Sequence, residues 1–237
     1  MTDRGGHASE LRDDNHQFVP RLREVHLLCD EHDDVAMASR YAAHREREER
    51  YAVSYIEFNL EGSIVTVPET EGDSFNVVVI YGGQHYANRS WMQKQTPDEI
   101  MDRVICVFAE YTVAYTTVVK QLGPFLASNK LKATGMAGWS IMGFSAGGYP
   151  TLDAYTPTHQ FIGLMDPSFR KDHLTRTYSQ NVAMLWGSSG QVATFGEERF
   201  KKLEAAILNG GGFSERLKLE HSKFPGVFMA RFKSRLF

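Results

Sequence analysis

Ser145 stands in Gly143-Phe144-Ser145-Ala146-Gly147, a serine with glycine two positions before it and two after, directly behind an apolar run. The spacing has a steric cause. A sharp strand-to-helix turn holds its central residue in a strained backbone conformation, and the positions two away must lack a Cβ to avoid collision, so only glycine or something nearly as small fits both. Such a turn exposes the hydroxyl for nucleophilic attack. With 20 glycines in 237 residues, chance places only about 0.1 such patterns around the serines of the chain, so the motif is informative. A serine nucleophile needs a base to take its proton and a carboxylate to orient that base. Beyond the elbow, Asp166 closes the apolar run 161–165, and His159, His173 and His221 are available as bases, with His85 earlier, after a glycine pair.

Other chemistries find little support. Cys29-Asp-Glu-His-Asp-Asp34 with His26 contains metal-ligand types, but on a predicted helix the adjacent acids spread round the surface, and no spacing matches a known site. Neither a G-x-G-x-x-G nor a G-x-x-x-x-G-K-[ST] stretch is present, so neither a metal nor a cofactor is expected. The two cysteines, Cys29 and Cys106, are too few for a disulfide framework or a tetrahedral thiolate site, which suits a reducing, cytoplasmic compartment. Cys106, inside the apolar stretch 104–108, is expected to be packed core on a helix. Twenty-six Lys+Arg against 29 Asp+Glu leave a net charge of −3, which favours neither a nucleic acid nor an anionic membrane as partner. The chain never runs about 18 apolar residues unbroken, and its first residues have no apolar stretch behind their charges, so no membrane span and no export signal are expected.

The reactive groups need a scaffold to bring them together. Residues 1–17 are polar, with Gly5-Gly6, Asp13-Asp14 and scattered histidines, and read as a flexible arm. From Pro20 to about Arg50 the pattern is helical. Leu22, Val25, His26 and Cys29 repeat at i, i+3, i+4, i+7, and a second stretch through Val35, Ala38 and Tyr41-Ala42 ends in mixed charge. At Tyr51 the composition turns to strand: 52–60 alternates, 63–67 is β-branched, and 75–81 is a nearly continuous apolar run up to Gly82-Gly83. Together these read as two edge strands feeding a buried one. Residues 97–127 read as a helix with a break at Gly123-Pro124. Beyond it, strands are expected at 137–144, 161–165, 182–186 and 215–219, and helices at 148–155, 197–208 and 225–237. Strands alternating with helices make a mainly parallel sheet covered on both faces. Pro150 would disturb a helix begun at Ser145, so that helix is expected to restart near Gly148 with Pro150 in its first turn.

The segment Gly143-Phe-Ser-Ala-Gly-Gly-Tyr149 resembles the nucleophile elbow of esterases and lipases of the α/β-hydrolase family, and the resemblance covers about residues 51–237. It implies an α/β-hydrolase-like domain there, with residues 1–50 as a helical extension. The stretch 167–181, where many relatives insert a cap domain, is short, so a site without a large cap is implied. In the family the acid and the histidine follow the serine in that order, each on a loop after a later strand. The usual acid-bearing turn resembles Trp186-Gly-Ser-Ser-Gly-Gln191, but Ser189, Gly190 and Gln191 supply no carboxylate. One strand earlier, Gly163-Leu-Met-Asp-Pro167 is similar to the Gly-Leu-Asp-Pro turn of lipases of pancreatic type, which makes Asp166 the implied acid. His221, behind the last strand and ahead of the closing helix, stands where the family has its catalytic histidine. On that reading His221 takes the proton of Ser145 and returns it to the leaving group, while Asp166 fixes the imidazole tautomer. For the oxyanion, Ala146 N–H is one implied donor. Tyr81-Gly82-Gly83-Gln84 resembles the His-Gly-Gly-x stretch of esterases, with Tyr in place of His, and makes Gly83 or Gln84 the other.

The activity implied is hydrolysis of a small-molecule ester or thioester through an acyl-enzyme, without a cofactor. The alternative is a non-catalytic protein of the same fold with an assembly or partner-binding role, to which the empty usual acid position, Pro150 and the charged N-terminal helices point. The stripe Leu22, Val25 and Cys29 must find cover, on the domain's own flank or on another chain. A two-helix segment with a mixed-charge outer face suits the second, so residues 18–50 are expected to serve a homo-oligomer or a protein partner.

Overall fold

Side chains alternate between the two faces of a strand, and here both faces are apolar. In β3 (Val77–Tyr81), Val77, Val79 and Tyr81 join one core, and Val78 and Ile80 join the other. The computed structural model describes residues 55–69, 74–135 and 138–237. The arm, the amphipathic helices and the association surface expected within residues 1–50 lie outside the described residues. The remaining strands are β1 (Tyr55–Leu60), β2 (Ser63–Pro68), β4 (Ile105–Ala109), β5 (Ser140–Phe144), β6 (Phe161–Met165), β7 (Val182–Trp186) and β8 (Phe213–Arg216). They form one eight-stranded sheet in the order β1-β2-β4-β3-β5-β6-β7-β8. The pairs β1/β2 and β2/β4 are antiparallel; from β4 to β8 every neighbouring pair is parallel.

Parallel strands buried on both faces require helices on each side. On one face α3 (Tyr115–Ser128) packs Val118, Leu122 and Leu126, and α6 (Glu197–Asn209) packs Phe200, Leu203 and Ile207. Those three residues of α6 contribute roughly 5–9 kcal/mol of apolar burial, which offsets the cost of ordering an otherwise charged helix. On the other face α1 (Arg89–Gln95) supplies Met92, α2 (Asp98–Met101) supplies Ile100 and Met101, and α7 (Phe224–Phe232) supplies Phe224, Phe228, Met229 and Phe232. Two further helices, α4 (Gly148–Asp153) and α5 (Ser189–Phe195), follow β5 and β7 at the end of the sheet where the site lies.

Residues 97–127 are not one helix: they hold α2, then β4, then the first part of α3. A short apolar run such as 104–108 suits helix or strand equally. Parallel pairing of Val78 with Cys106 on one side and antiparallel pairing of Thr66 with Cys106 on the other decide for strand. Cys106 is buried as expected, but on β4, and burial pushes its thiol up to about 12, so it is no thiolate nucleophile. Gly123-Pro124 does not break α3, because Pro124 lies on the exposed side, where the carbonyl left unpaired four residues back is open to water. β2 is an interior strand, fully buried between β1 and β4, rather than an edge. The last strand ends at Arg216, three residues before the expected end at 219. Residues 167–181 hold only a single 3-10 turn, Lys171–Thr175, and no cap. Among the described residues no helix is long and apolar enough to cross a membrane.

Candidate active site

Ser145 follows β5 with φ +53, the left-handed conformation that side chains rarely adopt. The glycines around it show why the elbow is written as it is. A Cβ on Gly143 would stand 2.2 Å from the Gly147 carbonyl oxygen and 2.3 Å from Thr151 Oγ1; one on Gly147 would stand 2.5 Å from the Tyr81 carbonyl oxygen. Backbone cannot rotate away from such contacts. After a 3-10 turn over Ser145–Gly147 the helix restarts as α4, with Pro150 in its first turn where no intrahelical N–H is needed.

Asp166 lies at the end of β6, fully buried and also at positive φ, +44. Its N–H donates to the Leu185 carbonyl at 2.7 Å, which ties the turn to β7. The carboxylate Oδ1 accepts N–H groups from Gly187 at 3.1 Å and Ser188 at 3.4 Å. Its Oδ2 accepts the Ser188 hydroxyl and lies 2.6 Å from His221 Nδ1. A carboxylate only accepts, so Nδ1 carries the proton and Nε2 presents its lone pair. The imidazole also lies against the tilted ring of Phe144, centroids 4.5 Å apart, and Phe144 stacks on Trp91 at 5.4 Å.

Ser145 Oγ takes a partner that the sequence reading did not foresee. Among the described residues its one hydrogen bond comes from Gln191 Nε2 at 3.2 Å, and Gln191 Oε1 accepts the Ser168 hydroxyl at 3.3 Å, which orients the amide. Gln191 N–H in turn caps onto Ser188 Oγ at 3.2 Å, the hydroxyl that donates to Asp166. The start of α5 therefore links the serine to the acid through Gln191 and Ser188. The signal in the sequence is Gln191 itself, which stands where the resemblance puts a carboxylate.

The loop after β3 separates the two oxyanion candidates. Gly83 N–H donates to the Ala87 carbonyl at 2.6 Å and is engaged, whereas Gln84 N–H has no backbone partner among the described residues. Gly83 matters for space instead, since a Cβ there would stand 3.0 Å from Ser145 Cβ. Ala146 N–H belongs to the first turn behind the elbow, where helix geometry supplies no acceptor.

Two of the other described histidines, His173 and His159, are committed elsewhere. His173 is buried; its Nδ1 accepts Arg170 N–H at 3.1 Å, so Nε2 carries the proton and donates to Asp153 at 3.0 Å. Burial holds its pKa below the ordinary histidine range. With Asp153 and Asp172 it forms a group of ligand types close enough to share an ion, but Arg170 and Arg176 already bridge both carboxylates, so the donor set does not fit a cation. His159 accepts Thr156 N–H at Nδ1, and burial likewise lowers its pKa. His85 lies in the loop after β3, at φ +55.

No family model matches the chain, and no curated protein matches it. Among solved structures it is similar to the fluorophosphonate-binding serine hydrolase F (FphF) of Staphylococcus aureus in its substrate-bound form. The TM-score is 0.51 at 8% identity, over 77% of this chain and 97% of that chain. A ferulic acid esterase of the anaerobic fungus Anaeromyces mucronatus superposes with a TM-score of 0.48 at 14% identity, over 75% of this chain and 91% of that chain. The likeness to the first, together with the strand order, shows that the described domain has the α/β-hydrolase fold.

Proposed function

We propose that this protein is a serine hydrolase that cleaves an ester or thioester through an acyl-enzyme on Ser145, with His221 as base and Asp166 as its orienting acid. The observation that carries the reading is the 2.6 Å bond from His221 Nδ1 to a buried carboxylate, on the strand next to a serine held at an elbow. With Nδ1 protonated, Nε2 takes the Ser145 proton as Oγ attacks the carbonyl carbon. The charge developing on the carbonyl oxygen is met by Ala146 N–H and Gln84 N–H, each worth roughly 3–4 kcal/mol in the transition state. His221 then gives its proton to the departing alcohol or thiol. A water deprotonated by the same nitrogen attacks the acyl group, and Ser145 leaves with its proton restored.

The second reading, a non-catalytic protein of this fold, is favoured by one contact: Ser145 Oγ is bonded to Gln191 rather than to His221. A fluorophosphonate probe decides between them, because it phosphonylates only an activated serine and needs no knowledge of the substrate. We expect covalent labelling mapped to Ser145 by mass spectrometry and absent from Ser145→Ala. Intact protein that stays unlabelled after prolonged exposure rejects the hydrolase reading.

The Gln191 contact has its own expected result. Before proton transfer Ser145 Oγ must turn from Gln191 to His221, giving up a neutral hydrogen bond worth about 1 kcal/mol. Gln191→Ala removes that hold, so labelling of Ser145 should become about fivefold faster. A slower rate would mean that the amide assists the nucleophile.

A further inference from the structure

Asp166 is fully buried, and a carboxylate taken out of water needs either a cation beside it or a full set of donors. Among the described residues no Lys or Arg pairs with it, and its one ion-pair partner is His221, which must be neutral to act as a base. In the working state the negative charge therefore rests on neutral donors. Four reach it. Gly187 N–H and Ser188 N–H meet Oδ1, while the Ser188 hydroxyl and His221 Nδ1–H meet Oδ2. Ser188 thus supplies two of the four, and it is the residue that reaches both oxygens.

The surroundings of Ser188 fix which way its hydroxyl points. The residue is buried, and its oxygen accepts Gln191 N–H at 3.2 Å as the N-cap of α5. A hydroxyl has one proton to give. With an amide proton aimed at its lone pair, that proton is left for Asp166, and the carboxylate can only accept it. Taking the amide proton also polarises the hydroxyl and strengthens its donation. Ser188 belongs to the turn 186–191, which resembles the family's usual acid-bearing turn and holds no carboxylate. That turn serves the acid of the neighbouring strand instead, β6 and β7 being paired so that Met165 lies beside Leu185. The charges nearest in the chain do not replace it: α5, packed against the turn of His221, has no charged residue, and Glu220 and Lys223 beside His221 are exposed.

We propose that Ser188 is a positioning residue: its hydroxyl and N–H hold the Asp166 carboxylate ionised while His221 is neutral, and so set the pH at which the base becomes available. Its link to turnover rests on the hydrolase reading; the charge balance of the Asp166–His221 pair does not. Loss of the hydroxyl penalises the state with Asp166 charged and His221 neutral more than the state in which an imidazolium balances the carboxylate. His221 should then keep its added proton to higher pH. Ser188→Ala should therefore move the acid limb of kcat/KM up by about one pH unit and lower kcat on the plateau about tenfold, with KM kept. Ser188→Gly separates donation from capping, because glycine caps a helix nearly as well as serine but has no hydroxyl. The limb should shift in Ser188→Gly as it does in Ser188→Ala, whereas a role confined to capping moves it in neither and lowers Tm more for alanine than for glycine. Ser188→Thr, which keeps the hydroxyl, should hold the limb at its wild-type position. NMR titration of the His221 ring protons in Ser145→Ala reads the same shift without turnover, and its midpoint should rise by about one pH unit when Ser188→Gly is added. An acid limb or an NMR midpoint that stays put in folded Ser188→Gly overturns the proposal, and so does a shift in folded Ser188→Thr as large as that in Ser188→Ala. If Ser145 never labels, the hydrolase reading fails, while the NMR titration still decides whether Ser188 balances the charge of Asp166.

Discussion

Asp166→Asn should lower turnover of a nitrophenyl ester by about 10³–10⁴, the scale of loss that the same change produces in serine proteases of unrelated fold. The cause is the tautomer, not the fold. An asparagine at 166 can still accept Gly187 N–H and Ser188 N–H through its carbonyl oxygen, so the turn keeps its anchors. Its amide N–H₂ would then face His221 Nδ1 in place of the oxygen now 2.6 Å away. To avoid two donors meeting, the imidazole must move its proton to Nε2, and a protonated Nε2 cannot take the proton of Ser145. Fluorophosphonate labelling should slow in parallel, while far-UV circular dichroism stays that of the wild type. Turnover within about threefold of wild type would mean that another carboxylate orients the base. The structure leaves poor substitutes: Glu197 is held by Arg216 and Lys201, and Asp172 by Arg176.

Gly143→Ala should destabilise the domain by about 3 kcal/mol or more, the upper end for overpacking, because the new methyl meets not only Thr151 Oγ1 but backbone, which cannot turn aside. The Gly147 carbonyl oxygen would lie 2.2 Å away and its carbon 2.5 Å away. Relief requires the elbow to open, which moves Ser145 off its strained conformation and away from the loop after β3. For a domain of this size the loss corresponds to a fall in Tm of roughly 6–12 °C, and labelling should disappear even in the fraction that stays folded. Gly190→Ala is the matched control, since nothing lies within 4 Å of a Cβ there and the residue sits within α5 at ordinary φ. It should be neutral or stabilising by up to about 1 kcal/mol through helix propensity alone. An unchanged Tm for Gly143→Ala would show that the tight approach of β5 to α4 is not required.

What the sequence determined by itself is what short-range sterics and simple patterning control. The glycines at 143 and 147 announce the elbow because their constraint acts within a few residues of Ser145. Continuous apolar runs announce the strands at 77–81, 161–165 and 182–186 because a strand buried on both faces leaves no polar position. The chain order of Ser145, Asp166 and His221 could be proposed on resemblance for the same reason, each residue following a recognisable strand. The tertiary structure decided whatever depends on partners distant in the chain. Residues 105–109 suit helix or strand, and only their place between β2 and β3 makes them β4. Whether Gly83 or Gln84 keeps a free N–H depends on which of them Ala87 engages as the loop folds back. Asp166 meets His221 across 55 residues of chain and Gln191 meets Ser145 across 46. A side chain carries its chemistry in its type, but contacts over such separations are set by sheet order and loop closure, which no local pattern of residues encodes.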